Sequence, residues 1–161
     1  MMMFADSKDS LRKDYNLRGS KIDAMLKRHD QLALPMPAFG ETICKIRDKT
    51  GSNFQTVVSE IDRLIETNVV KTVYLQKASE TYAIAKDLSL SMDDDRDQIS
   101  PMDALIVASA TTDPCCNIFY TTDSRLISDA RVSEIIDEWR EDRDGYERLS
   151  IRGISSILKA R

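Results

Sequence analysis

The segment Ile99-Ser-Pro-Met-Asp103-Ala-Leu-Ile-Val-Ala-Ser-Ala110, followed by Ile118-Phe-Tyr-Thr-Thr-Asp123, constrains the fold more than any other part of the chain. Its first half predicts a helix over Pro101 to Thr112, which carries the chain about 18 Å forward at about 1.5 Å per residue. Its second half predicts a strand over Asn117 to Thr122, which returns about 20 Å at about 3.3 Å per residue. The outward and return paths nearly match. Asp103 in the first helical turn and Asp123 just past the strand are therefore expected at one end of the domain. In a parallel sheet, the carboxyl ends of the strands are where ligands bind.

A chain of 161 residues can bury a substantial core without staples, and one domain over residues 1–161 is expected. With 42% hydrophobic and 31% charged residues, the composition is that of a soluble globular protein. No apolar run approaches the length of about 20 residues that a membrane span needs. Met1-Met-Met-Phe-Ala is a brief apolar start with an acid behind it, so no secretory signal is expected. Cys44, Cys115 and Cys116 form neither a C-x-x-C pattern nor a disulfide framework. His29 is the single histidine, which argues against a Cys/His zinc site. A reducing cytoplasm suits these features.

The net charge of −4 argues against a protein that coats nucleic acid by bulk electrostatics. It does not argue against a nucleic-acid enzyme, because bound cations reverse the field of the carboxylates that hold them. Basic residues cluster early, at Lys8, Arg12, Lys13, Arg18, Lys21, Lys27 and Arg28. A solvated helix face explains them first, and phosphate contact is the alternative.

Strand and helix signals alternate along the chain. Met2 to Ala5 reads as a short strand ending at Asp6, followed by helical pieces over Leu11 to Leu17 and Ser20 to Arg28. Gln31 to Met36 reads as a second strand, and Pro37 suits the first position of a helix running through Glu41 towards Thr50. Phe54, Val57, Val58, Ile61, Leu64 and Ile65 recur at helical spacing. Val69 to Leu75 is β-branched and aromatic, a third strand. Ala78 to Leu90 is helical, with Tyr82, Ile84, Ala85 and Leu88 as its expected buried set. After Asp123 come a short helix, a second with Val132, Ile135, Ile136 and Trp139, and a last strand at Arg148 to Ile151. The alternation indicates an α/β sandwich around a parallel sheet.

Four acids stand at the ends of these elements. Each has a structural role open to it: Asp103 as the third residue of a helix capped by Ser100 with Pro101 behind it, Asp123 and Asp6 as N-caps, Glu41 as an early-turn acid. Together they point elsewhere. Asp6 and Asp123 each follow a strand directly, Glu41 follows one by about a helical turn, and Asp103 opens the helix that feeds the Asn117 to Thr122 strand. Carboxylates gathered at one sheet edge repel unless a cation joins them. Oxygen-only ligation favours Mg²⁺ or Mn²⁺ over zinc. Such an ion can neutralise phosphate oxygens and activate water, which makes a phosphodiester the natural substrate.

The runs Asp103-Ala-Leu-Ile-Val-Ala-Ser-Ala and Phe119-Tyr-Thr-Thr-Asp123-Ser-Arg-Leu resemble the signature of PIN-domain nucleases. Pro35 followed six residues later by Glu41 resembles the second acidic motif of that family, and Met3-Phe-Ala-Asp6-Ser its first strand and leading acid. The resemblance spans Met2 to Gly153. It implies a three-layer α/β sandwich with a four- to five-stranded parallel sheet flanked by helices. It also implies a Mg²⁺- or Mn²⁺-dependent endoribonuclease with Asp6, Glu41, Asp103 and Asp123 at the metal. Thr121 or Thr122 would support the site with a hydroxyl or backbone group. Many family members are toxins paired with an antitoxin protein, and others process ribosomal RNA. Candidate partners are thus an RNA substrate, an antitoxin protein and a second copy of the chain, with no membrane.

Two residues depart from the family pattern. Lys8 stands where the family has a small polar residue, and it would either pair with Asp6 or reach the scissile phosphate. Arg125 stands where many relatives carry another acid. Both motivate a second reading: a PIN-like module that binds RNA or a protein partner without cutting. A receiver-like phosphotransfer domain also collects acids at strand ends, but its early acidic pair and late lysine are out of order here. Asp93-x-Asp95-x-Asp97 imitates the start of a calcium loop, yet Gln98 and Ala104 occupy the positions that need Gly and Glu. Cys115-Cys116 is read as packing or exposure, and Trp139 as core.

Overall fold

The computed structural model of the chain describes residues 32–50, 54–66, 70–75, 77–90 and 99–153. The expected first strand, the two early helical pieces and the Asp93 to Asp97 loop lie outside the described residues, and so do Asp6 and Lys8. In chain order the elements are β1 (Leu32–Pro35), α1 (Met36–Thr50), α2 (Phe54–Glu66), β2 (Val70–Val73), α3 (Ala78–Leu90), α4 (Pro101–Thr111), β3 (Ile118–Thr121), α5 (Ser124–Ser128), α6 (Ala130–Glu141) and β4 (Ser150–Gly153). The described residues divide into two compact units, 32–34 with 38–72 and 35–37 with 73–153. Mixed helix and strand is the observed class. Among the described residues the strands form two parallel pairs, β1 with β2 and β3 with β4.

The first unit rests on two amphipathic helices. α1 follows β1 directly, and Pro37 in its first turn lacks only an N–H that would have no intrahelical acceptor. Ala38 and Thr42, one turn apart, are buried, and the Thr42 hydroxyl donates to the Ala38 carbonyl at 2.7 Å. That bond lets a polar side chain enter an apolar face without an orphaned hydroxyl. α2 has the strongest one-sided apolar pattern among the described helices. β2 is shorter than its sequence suggests. It ends at Val73, and Tyr74 and Leu75 are exposed.

The second unit is built on α3, α4 and α6. One buried cluster joins Ile84 and Leu88 of α3, Ala104, Val107, Ala108 and Ala110 of α4, Leu126 of α5, Val132 and Ile136 of α6, and Leu149 before β4. α3 packs extensively on α4 and also touches α6. The buried set of α3 is Thr81, Ile84, Ala85 and Leu88, which corrects the expectation for Tyr82. Tyr82 is 69% exposed. Thr81 takes the inner position because its hydroxyl meets that of Thr112 at 3.0 Å, which satisfies both groups within the protein.

α4 is buried almost all round, from Ala104 and from Ile106 to Thr111. Its small residues allow close approach on every side, and the Ser109 and Thr111 hydroxyls turn back to the Leu105 and Val107 carbonyls at 2.6 and 2.9 Å. After α4 the chain enters β3. β3 pairs with β4 in parallel register, Ile118 opposite Ser150 and Thr121 opposite Gly153. β4 begins two residues later than Arg148. The Ser150 N–H donates to the Asn117 carbonyl at 2.9 Å, and this bond sets where pairing starts.

Candidate functional site

The entry to α4 fixes Asp103. Ser100 is the N-cap and Pro101 the first helical residue, as the sequence indicates. The Asp103 N–H donates to Ser100 Oγ at 3.1 Å, and the same hydroxyl donates to Asp103 Oδ2 at 2.6 Å. Ser100 thereby holds both the backbone and the carboxylate of Asp103. The neighbouring Ala104 is fully buried, so the carboxylate stands at the rim of the core, half-buried.

The exit from β3 fixes Asp123. Thr121, the last residue of β3, is buried, and its Oγ1 accepts the Asp123 N–H at 3.0 Å. Thr122 is exposed. Asp123 then caps α5, with Oδ1 accepting the Arg125 N–H at 2.9 Å. The Arg125 side chain closes on the same carboxylate: Nε reaches Oδ1 at 3.1 Å and Nη2 reaches Oδ2 at 2.6 Å. This two-pronged bond is the main reason the Asp123 carboxyl lies below the usual carboxylate range; partial burial opposes it. Three residues on, Leu126 is buried in the cluster that also contains Ala104.

Glu41 lies half-buried in α1, in the other compact unit. Among the described residues no three His, Cys, Asp or Glu side chains gather closely enough to hold a metal ion. Asp103 and Asp123 do offer the oxygen donors that Mg²⁺ takes, and Mg²⁺ is often held by one or two carboxylates with substrate phosphates completing its shell. The donor chemistry fits. The carboxylate of Asp123, however, already carries a guanidinium, which a cation would have to replace.

Two features have no counterpart in the sequence reading. Arg140, on the last turn of α6, is 3% exposed. It donates to five carbonyls: Thr111 at 3.0 Å, Ala110, Asp113 and Cys116 each at 2.9 Å, and Glu147 at 2.6 Å. All of its N–H groups are used, and no carboxylate is needed. The positive charge sits at the carboxyl end of α4, where the helix dipole favours it. One signal was present in the sequence, since Arg140 follows Val132 and Ile136 at four-residue steps on the buried stripe. The second feature is an aromatic corner. Trp139 and Tyr146 meet edge to face at 5.2 Å, Arg143 stacks on Trp139 at 3.9 Å, and Lys77 lies over both rings at 5.8 and 5.1 Å. Trp139 is thus half-buried beneath a cation, at the edge of the core and not inside it.

Neither vicinal cysteine joins the site. Cys115 is exposed, and burial pushes the Cys116 thiol up to about 11. Among the described residues no helix is long and apolar enough to cross a membrane. Comparison of the chain with protein-family models, curated proteins and solved structures finds no match.

Proposed function

We propose that the chain is a Mg²⁺- or Mn²⁺-dependent endoribonuclease of the PIN type. The observation that carries this reading is the pairing of positions. Asp103 is clamped in the capped first turn of α4, Asp123 is clamped at the end of β3, and their neighbours Ala104 and Leu126 share one buried cluster. The proposed site is completed by Asp6 and Glu41, and the proposed architecture is a three-layer sandwich with a four- to five-stranded parallel sheet. RNA is the proposed substrate.

In this reading Ser100 and Thr121 are positioning residues. Each uses a hydroxyl to fix the peptide of an acid, so that neither carboxylate swings when a charged ligand arrives. The divalent cation, when bound, supplies charge neutralisation for the phosphate oxygens and acidifies a water. Arg125 supports a second reading, a module that binds RNA or a protein partner without cutting, because it neutralises Asp123 unaided.

Incubation of the purified chain with single-stranded RNA and Mn²⁺ decides between them. The nuclease reading expects cleavage that EDTA abolishes and that Asp103→Asn lowers at least about a hundredfold. Equal cleavage by both proteins, or none by the wild type across varied RNA substrates, overturns it.

A further inference from the structure

The aromatic corner holds a planar cation in a fixed place. The Tyr146 hydroxyl donates to the Thr112 carbonyl at 3.0 Å, which anchors its ring against the end of α4. Arg143 is held over Trp139 by two contacts. Its Nη1 donates to the Trp139 carbonyl at 2.5 Å, and its Nε lies 3.7 Å from Glu80 Oε2. With Trp139 only 3.9 Å away, the Arg143 side chain is still 36% exposed.

Charge at this corner is lopsided. Lys77, Arg140 and Arg143 each stand over one or both of the two rings. Among the described residues, Glu80 is the sole carboxylate that forms an ion pair with any of them. Asp142 and Asp144, beside Arg143 in sequence, are exposed and make no ion pair with it. Lys77 is exposed, and its ammonium meets rings where a surface lysine commonly meets an acid. The corner is therefore locally positive on a chain whose net charge is −4.

A guanidinium plane stacks an unpaired base much as an aromatic ring does, and a neighbouring ammonium suits the phosphate. We propose that Arg143, seated on Trp139, is a stacking platform for an unpaired base of RNA, with Lys77 as its phosphate contact. The inference rests on the proposed RNA substrate, narrows that substrate to single strands, and requires no metal.

The platform lies at the opposite end of α4 from Asp103. Thr112, to which Tyr146 is tied, follows Asp103 by nine residues. That is about 13.5 Å along the helix axis. At a stacked spacing of about 3.4 Å it corresponds to roughly four nucleotides. A strand that meets both places is held at two points, and the stacked base then sets which phosphodiester reaches the acids.

Trp139 is the single tryptophan, so its fluorescence reports on the corner directly. The test titrates the full chain with a single-stranded 2′-O-methyl oligoribonucleotide in EDTA, where neither cleavage nor metal binding intervenes. Saturable quenching of Trp139 is expected, with none from the same strand annealed to its complement. Arg143→Gln should weaken binding about tenfold. Lys77→Gln should also weaken it and reduce the salt-dependence slope by about 0.7, a change that a merely structural role would not produce. Lys77 is exposed, so its variant keeps the test decisive if Arg143→Gln fails to fold. Wild-type affinity in Lys77→Gln and in a folded Arg143→Gln overturns the platform, and so does equal quenching by the duplex or by polyglutamate, an anion without bases. Absence of binding by the wild type overturns it as well. Each of these leaves the nuclease reading to its own Mn²⁺ cleavage assay.

Discussion

Arg140 donates its Nε–H to the Thr111 carbonyl at 3.0 Å and so closes the carboxyl end of α4 with a buried positive charge. Helix ends leave carbonyls without intrahelical partners, and here one side chain from α6 serves Ala110, Thr111 and the loop beyond.

Arg140→Met is therefore expected to destabilise the protein by about 3–5 kcal/mol, because it strands several buried carbonyls at once. Arg140→Lys recovers only part of this, since an ammonium cannot address five acceptors spread in a plane. Urea unfolding followed by circular dichroism measures both. A loss below 1 kcal/mol for the methionine variant would show that water replaces the guanidinium freely.

Ser100→Ala removes the N-cap of α4 and is expected to cost about 1 kcal/mol in the same experiment. It also releases Asp103 Oδ2 from its 2.6 Å bond. Under the nuclease reading, cleavage should fall more than the stability loss explains, with the protein still fully folded at the assay temperature.

The Asp123 carboxyl lies below its ordinary value of 3.8, chiefly because of the Arg125 bond. A depressed folded-state value means that the charged form stabilises the fold. That contribution is complete above the ordinary value and is lost as pH falls through the lower one. The stability difference between wild type and Asp123→Asn should be flat above about pH 5 and shrink below about pH 4. A difference that stays constant down to pH 3 would show that Arg125 does not engage the carboxylate in solution.

Cysteine alkylation offers a check on packing. Cys44 and Cys115 are exposed, while Cys116 is half-buried with its thiol pushed up to about 11. At pH 8, iodoacetamide should modify Cys116 about a hundredfold more slowly than an ordinary free cysteine. Peptide mass spectrometry after timed quenching resolves the three sites. Comparable rates at Cys115 and Cys116 would mean that the loop entering β3 opens readily.

Much of the second unit was legible because its signals are local. Ser100, Pro101 and Asp103 announce the start of α4 within four residues, and Asp123 announces α5 in the same way. Ala78 to Leu90 forms α3 over the expected range. The errors lie where the deciding partner is distant. Tyr82 carries the larger apolar surface, but Thr81 is buried, its hydroxyl meeting that of Thr112, 31 residues away. Arg140 reads as a solvent-facing charge until the five carbonyls of its pocket are brought together by the fold. Strand pairing has the same difficulty. β3 and β4 are four-residue strands separated by two helices, and nothing within either strand states its register. Of the candidate site, the clamps on Asp103 and Asp123 follow from adjacent residues, while the proposed convergence with Asp6 and Glu41 would depend on pairings that no short stretch encodes.

The all-round burial of α4 has a consequence for where function can be lost. A surface helix absorbs a bulky substitution by letting its solvent side give way, and from Ile106 to Thr111 α4 has no such side. An added methyl at Ala108, fully buried and about 7.5 Å along the axis from Asp103, has to move the helix itself, and the carboxylate travels with it. Residues without chemistry of their own thus set the tolerance of the site. Substitutions inside α4 can therefore displace Asp103 without touching any acid.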